Sequence, residues 1–262
     1  MPDYEVQPFS KERRNMAILL SETEKKHIIY ALLKIDVTEG RKKIREYQNN
    51  GRDISFTAWL IKCFATVMED HKRFNALRHG KRKILLFNDV DVAIPVEREI
   101  EDEYRTMGYI LRDANRKNID ALTREIRDCQ QKQMEQSEQL LVRKGLMERF
   151  AVAAPGFIKK LLLYLGSRNA RLRKKYMGTT GVSAVGMMGR FQGWFLIMGG
   201  HFTTQLGVGG IVEESVYTSQ DTVEKREYLH LTISVDHDII DGAPLARFST
   251  RLTELLENTY WL

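Results

Sequence analysis

Residues 228–242 read YLHLTISVDHDIIDG, and the fold turns on this stretch. Leu229, Leu231, Ile233 and Val235 alternate with His230, Thr232 and Ser234, the period of two that places one set on each face of a β-strand. Beyond it the period lengthens, and Leu245, Phe248, Leu252, Leu255 and Leu256 make the apolar stripe of a helix. DHDIIDG therefore sits at a sharp strand-to-helix transition, with His237 in the turn. A histidine titrates near neutrality, so it can take a proton from a thiol or hydroxyl and return it to a leaving group, as acyl transfer requires. By spacing alone His237 is equally an ordinary surface or packed histidine. Asp241, four residues on, caps the helix on one reading and fixes the geometry of His237 on the other, while Gly242 permits the turn.

Working outward, Ser10 caps a helix carrying Met16, Leu19 and Leu20 that ends near Lys26, and His27 to Val37 turns β-branched and apolar as a strand. Thr38 caps a second helix through Tyr47, and Ala58, Ile61, Ala65 and Met68 mark a third over 57–70. The Asn88-Asp89 turn leads into a half-buried strand with Val90, Val92, Ile94 and Val96 on one face. Residues 116–144, sparsely apolar, read as a surface helix. Residues 146–177 join an apolar stripe, Phe157 through Leu165, to the basic tail SRNARLRKKYMG. That pairing suits reversible contact with an anionic bilayer, and equally a core helix with a solvated basic flank; the stretch is too charged to span a membrane.

The 262 residues carry 41 Lys and Arg against 35 Asp and Glu, a formal charge of +6 that favours anionic partners without choosing among them. Cys63 and Cys129 have no metal-ligand spacing, which argues for reduced, structural thiols rather than a disulfide scaffold or zinc site. No leader pattern opens the sequence and no uncharged apolar run reaches spanning length, so an ordinary secreted or membrane-spanning protein is not expected. Five prolines and no Gly/Ser or Pro/Ala tract favour one continuous domain over 1–262, with 146–177 as an unusual insertion.

DHDIIDG resembles the HxxxDG signature of dihydrolipoamide acyltransferase catalytic cores, the transacylase components of 2-oxo-acid dehydrogenase complexes, and of chloramphenicol acetyltransferases. The resemblance runs in family order along nearly the whole chain. PFSKERRNMA (8–17) is similar to the arginine-bearing first helix, HIIYALLKIDVT (27–38) to the first strand, and KRFNA (72–76) to the middle signature. GTTGVSAVG (178–186) is similar to the hydroxyl-bearing stretch, GVGGIVEE (207–214) to a later strand, and RLTELLENTYWL (251–262) to the terminal helix.

The resemblance implies an α/β chloramphenicol-acetyltransferase-like two-layer sandwich with a mixed β-sheet and packed helices. It implies a coenzyme-A-dependent acyltransferase in which His237 is the general base and Ser183 the oxyanion donor. Asp241 is then a largely structural carboxylate paired with Arg14, or with the adjacent Arg13, while Asn75 and Gly242 give structural support. Coenzyme A is the expected substrate, with any lipoyl group on a separate carrier, since no lipoyl or peripheral-subunit-binding domain is identifiable. A homotrimer or larger shell, with Ser183 reaching His237 from the neighbouring subunit, is the expected assembly. The expected location is cytoplasmic, peripheral to a membrane if 146–177 docks there, with neither metal nor nucleic acid as partner. Three departures stand out: Asp238 where relatives often have arginine, Ala184 where they often have asparagine, and a glycine- and aromatic-rich MMGRFQGWFLIMGG (187–200). Asp238, Ala184, the missing lipoyl module and the basic amphipathic insertion at 146–177 favour the alternative, a catalytically weak or inactive structural scaffold associated with a membrane surface.

Overall fold

The segment Val223–Asp236 forms the strand that the alternation predicts, and it pairs on both sides, so its turn is anchored in the middle of the molecule. The computed structural model describes residues 3–21, 26–100, 103–131, 158, 164–186, 191–197, 200–217 and 222–262. In chain order the elements are α1 (Lys11–Leu20), β1 (Ile28–Asp36), α2 (Thr38–Asn49), α3 (Phe56–Asp70), a 3-10 turn (Lys72–Asn75) and the hairpin of β2 (Ala76–His79) and β3 (Lys83–Leu86). There follow β4 (Val92–Ile100), β5 (Glu103–Leu111), α4 (Ile119–Gln131), α5 (Ala170–Met177), β6 (Thr180–Ala184), β7 (Thr204–Tyr217), β8 (Val223–Asp236) and α6 (Gly242–Glu257).

Six strands make one mixed sheet in the order β1-β8-β7-β6-β4-β5, in which β6 runs parallel to both β4 and β7 and the other pairs are antiparallel. Helices α2, α3, α4 and α6 pack on one face of it, giving a two-layer α/β sandwich. The core lies between the layers: Trp59 and Phe64 of α3 and Phe248 and Leu252 of α6 meet Leu231, Ile233 and Val235 of β8. Phe248 stacks on Phe74 with ring centroids 4.1 Å apart, tying the last helix to the turn before β2. Cys63 and Cys129 are free and buried, and burial pushes the Cys63 thiol up, so it stays protonated.

Several boundaries differ from the sequence expectation. The first helix is capped by Ser10, whose Oγ accepts the Arg13 N–H at 3.2 Å, but it ends at Leu20, where the Ser21 hydroxyl donates to the Ile18 carbonyl at 2.8 Å instead of continuing the apolar stripe. Lys26 belongs instead to the approach to β1. Thr38 is the first helical residue rather than the cap: the Asp36 carboxylate accepts both its N–H (3.0 Å) and its hydroxyl (2.5 Å), and its Oγ1 in turn accepts the Glu227 N–H at 2.8 Å. The helix expected over 116–144 starts at Ile119, and 132–144 lie outside the described residues. Of the stretch 146–177, residues 146–157 and 159–163 also lie outside, including most of the stripe proposed to meet a bilayer. Its basic tail is not a wholly solvated flank, because α5 turns Arg173 inward to burial. Among the described residues, no helix is long and apolar enough to cross a membrane.

Candidate active site

The turn after β8 is held by backbone bonds from three separate segments. Asp236 N–H donates to Thr203 O at 2.8 Å, His237 N–H donates to His27 O at 2.7 Å, and the N–H groups of Ile239 and Ile240 both donate to Asp236 O at 3.0 Å. The Asp236 side chain, buried, accepts the Asp238 N–H at 3.2 Å and pairs with the Lys26 ammonium at 3.3 Å. His237 is therefore presented from a fixed backbone while its ring stays 45% exposed, open to a substrate. Asp236 and Lys26 were not among the sequence candidates. The signal for Asp236 was its place directly before the histidine, at the end of a buried strand.

The Asp241 carboxylate lies 3.7 Å from His237 Nδ1, an ion-pair distance slightly beyond a hydrogen bond. This leaves Nε2 as the nitrogen facing away from Asp241. Asp241 occupies the N-cap position of α6, as one sequence reading has it, but its side chain makes no capping hydrogen bond, and it is 76% exposed. Arg13 and Arg14 are exposed on α1, and among the described residues neither forms an ion pair with Asp241. Gly242 opens α6 without a positive φ, and an added Cβ would meet nothing within 4 Å among the described residues, so none of their contacts requires glycine there.

Asp238, the departure beside the base, is held by partners other than His237. Its carboxylate is shared between His27 Nδ1 at 2.9 Å and Arg78 at 3.3 Å. Asn75 is buried, and its amide donates to the carbonyls of Phe87 and Asp89, both at 2.9 Å, clamping the loop that leads to β4.

Ser183 lies in β6, half-buried, on a strand set in place by the Asp91 clamp: the Asp91 carbonyl accepts the N–H groups of Thr179 and Thr180, and its carboxylate holds Arg112 at 2.8 Å. Sheet register places Ser183 opposite Gly207 and Gly207 opposite Thr232, five residues short of His237. Two strand spacings and five residues of rise separate their backbones by roughly 19 Å. One chain does not bring the serine hydroxyl and the imidazole to a common carbonyl.

The stretch 191–197, from the glycine- and aromatic-rich departure, crosses the second face of the sheet as a strap. Its backbone approaches β7 so closely that a Cβ on Gly209 would lie 2.2 Å from Gly193 O, and one on Gly210 2.0 Å from Phe191 O. Trp194 packs edge-on against His230 at 4.3 Å, and its indole N–H donates to Leu33 O at 2.9 Å. His230, Thr232 and Ser234, the polar set of the alternation, are consequently buried too. No group of three or more His, Cys, Asp or Glu side chains able to hold a metal occurs among the described residues.

Residues 1–141 and 167–262 match the family described as 2-oxoacid dehydrogenases acyltransferase (catalytic domain). The dihydrolipoyllysine-residue succinyltransferase component of the 2-oxoglutarate dehydrogenase complex of Staphylococcus aureus (strain NCTC 8325 / PS 47) is 36% identical over 62 residues, 24% of this chain and 15% of its own length. This chain thus aligns with only a small part of such relatives. Among solved structures, a probable dihydrolipoamide acetyltransferase from Listeria monocytogenes superposes with a TM-score of 0.68 at 18% identity, covering 98% of this chain and 96% of that one. The dihydrolipoamide acetyltransferase of Azotobacter vinelandii gives the same score and identity, with 98% and 92% covered. In that enzyme a serine, a histidine and, four positions beyond it, an asparagine have been investigated for their role in the catalytic mechanism.

Proposed function

Because the chain belongs to the family of 2-oxoacid dehydrogenase acyltransferase catalytic domains, we propose that it moves an acyl group between the thiols of coenzyme A and dihydrolipoamide. The observation that carries this reading is His237: a ring open to solvent on a backbone fixed by His27 and Asp236, with a carboxylate four residues on facing Nδ1. A histidine followed at the same spacing by a polar side chain is what the Azotobacter enzyme's investigated pair shows.

His237 Nε2 takes the proton of the attacking thiol as its sulfur bonds to the thioester carbonyl carbon. The carbonyl oxygen becomes an oxyanion, and the Ser183 hydroxyl of a neighbouring subunit donates to it, an interaction stronger in the transition state than in the substrate. His237 then returns the proton to the departing sulfur as the carbon–sulfur bond breaks, so the protein ends unchanged. The wide separation of Ser183 and His237 within one chain supports a site shared between subunits, in a trimer or an assembly of trimers, with the lipoyl group offered by a separate carrier. Asp241 steadies the ring, and Arg14 becomes its counterion if the assembly draws α1 toward the turn. A scaffold lacking turnover is the second reading, favoured by Ala184 and by Asp238, which withdraws an arginine-like donor from the turn.

Acyl transfer from acetyl-, propionyl- and longer acyl-coenzyme A to dihydrolipoamide separates the two. Turnover is expected in the unmodified protein, falling about 10²–10⁴-fold in His237→Ala and about 10²–10³-fold in Ser183→Ala. No turnover from a folded oligomer across the donor panel would move the assignment to the scaffold.

A further inference from the structure

Behind the His237 turn an open cleft of about 220 Å³ lies between the start of β1, the β2–β3 hairpin, the entry to α5 and the end of β8. Neither His237 nor Asp241 lines it. Five cations do: Lys26, Arg78, Lys81, Arg168 and Arg173. Among the described residues that line it, two carboxylates face them, Asp236 and Asp238, so the formal balance of these side chains is 5 − 2 = +3. Asp238 is engaged by His27 and Arg78, and Asp236 by Lys26. Arg173, 8% exposed, forms no ion pair among the described residues, where Asp236 acts on it only at longer range, and its buried Nε makes no hydrogen bond there. Burial, set against the partial compensation of Asp236, lowers Lys26 to about 8 and Arg173 to about 10. An enclosed guanidinium lacking a partner is costly unless something anionic completes it.

We propose that this cleft is a binding site for a phosphate-class dianion, with Arg173 and Lys26 at its floor and Arg78, Lys81 and Arg168 at its rim. A dianion answers most of the surplus charge, whereas a monocarboxylate leaves two positive charges uncompensated, and the guanidinium fork suits a tetrahedral oxyanion. Asp236 and Asp238 flank His237 in sequence and line the cleft, so an occupant would brace the turn from behind without touching the reacting atoms. The inference stands independently of the acyl-transfer reading, because it concerns a different face of the turn and a binding readout.

Calorimetric titration of the full chain at pH 7 and constant ionic strength tests it, with inorganic phosphate as the probe and acetate as the carboxylate control. Saturable binding of phosphate at one site per chain is expected, at least tenfold tighter than acetate. Arg173→Met should abolish it, and the exposed pair Lys81→Ala with Arg168→Ala should weaken it about tenfold without disturbing the fold. If Arg173→Met fails to fold, the rim pair decides. A repeat at saturating coenzyme A separates two sources of the same anion: displacement assigns the site to a phosphate of coenzyme A, and undisturbed binding to a separate phosphorylated molecule. Non-saturable heats, equal affinity for acetate, or a rim variant that binds as the wild type does would overturn the proposal.

Discussion

Asp236 shapes the turn that presents His237. It is buried, its carbonyl receives two N–H groups, and its carboxylate offsets the buried Lys26 ammonium. Asp236→Asn leaves that ammonium its hydrogen bond to the Phe202 carbonyl but no counter-charge, and the expected loss of stability is about 2–4 kcal/mol at pH 6.5. Lys26 is lowered from 10.5 to about 8 in the folded protein, chiefly by burial, with Asp236 raising it back in part. The cost of keeping it charged is therefore fully present below pH 8. Between pH 8 and 10.5 the folded chain has released a proton that the unfolded chain still holds, so stability rises with pH across that window. Without Asp236 the folded value falls further, the window opens at lower pH, and the deficit of the variant shrinks by pH 9.5. Urea unfolding at both pH values measures this; a deficit independent of pH would remove Lys26 from the account.

At the scale of elements, β8 and α6 were legible because their periods, two and then 3.6, are written in apolar residues that meet one core. Ser10 was legible as a cap for the same local reason. The burial of His230, Thr232 and Ser234 was not, since alternation reports which residues share a face but not what covers it. The cover is the strap 191–197, and its sequence signal is the pairing of Gly209 and Gly210 with the glycine- and aromatic-rich stretch upstream. Thr38 does not reveal its role in sequence, because a threonine before a helix looks the same whether it caps the turn or is itself held by Asp36. The strap gives a direct test. Gly209→Ala places a methyl where backbone of residue 193 already stands, so the strap must lift or β7 must bend, at an expected cost of about 1–3 kcal/mol. Trp194 should then lose its packing on His230, seen as a red shift in tryptophan emission, and amides of 191–197 should exchange faster while those of α3 keep their protection. Unchanged emission and exchange would show that the strap does not depend on that close approach.

For the whole molecule, the question is where the second half of the site comes from. His237, Asp241 and Ser183 were each readable in the sequence through motif resemblance, yet their mutual distance was not, because strand register is a property of pairing rather than of any one segment. The register sets Ser183 and His237 roughly 19 Å apart in one chain, a separation no side-chain rotation closes, so activity requires a neighbour if these residues act together. Mixed oligomers decide this. His237→Ala and Ser183→Ala chains are each expected to be nearly inactive alone. Co-assembled in equal amounts from unfolded or dissociated subunits, a site between neighbours is intact when one side carries histidine and the other serine, a probability of one half times one half, or about a quarter of the wild-type rate. A chain bearing both substitutions, mixed with either single variant, should restore nothing to the Ser183→Ala protein and nothing to the His237→Ala protein, since one of the two groups is then missing from every site. Recovery near a quarter places the two groups on different subunits, whereas mixtures as inactive as their components would require that each chain complete its own site by a rearrangement of β6 against β8.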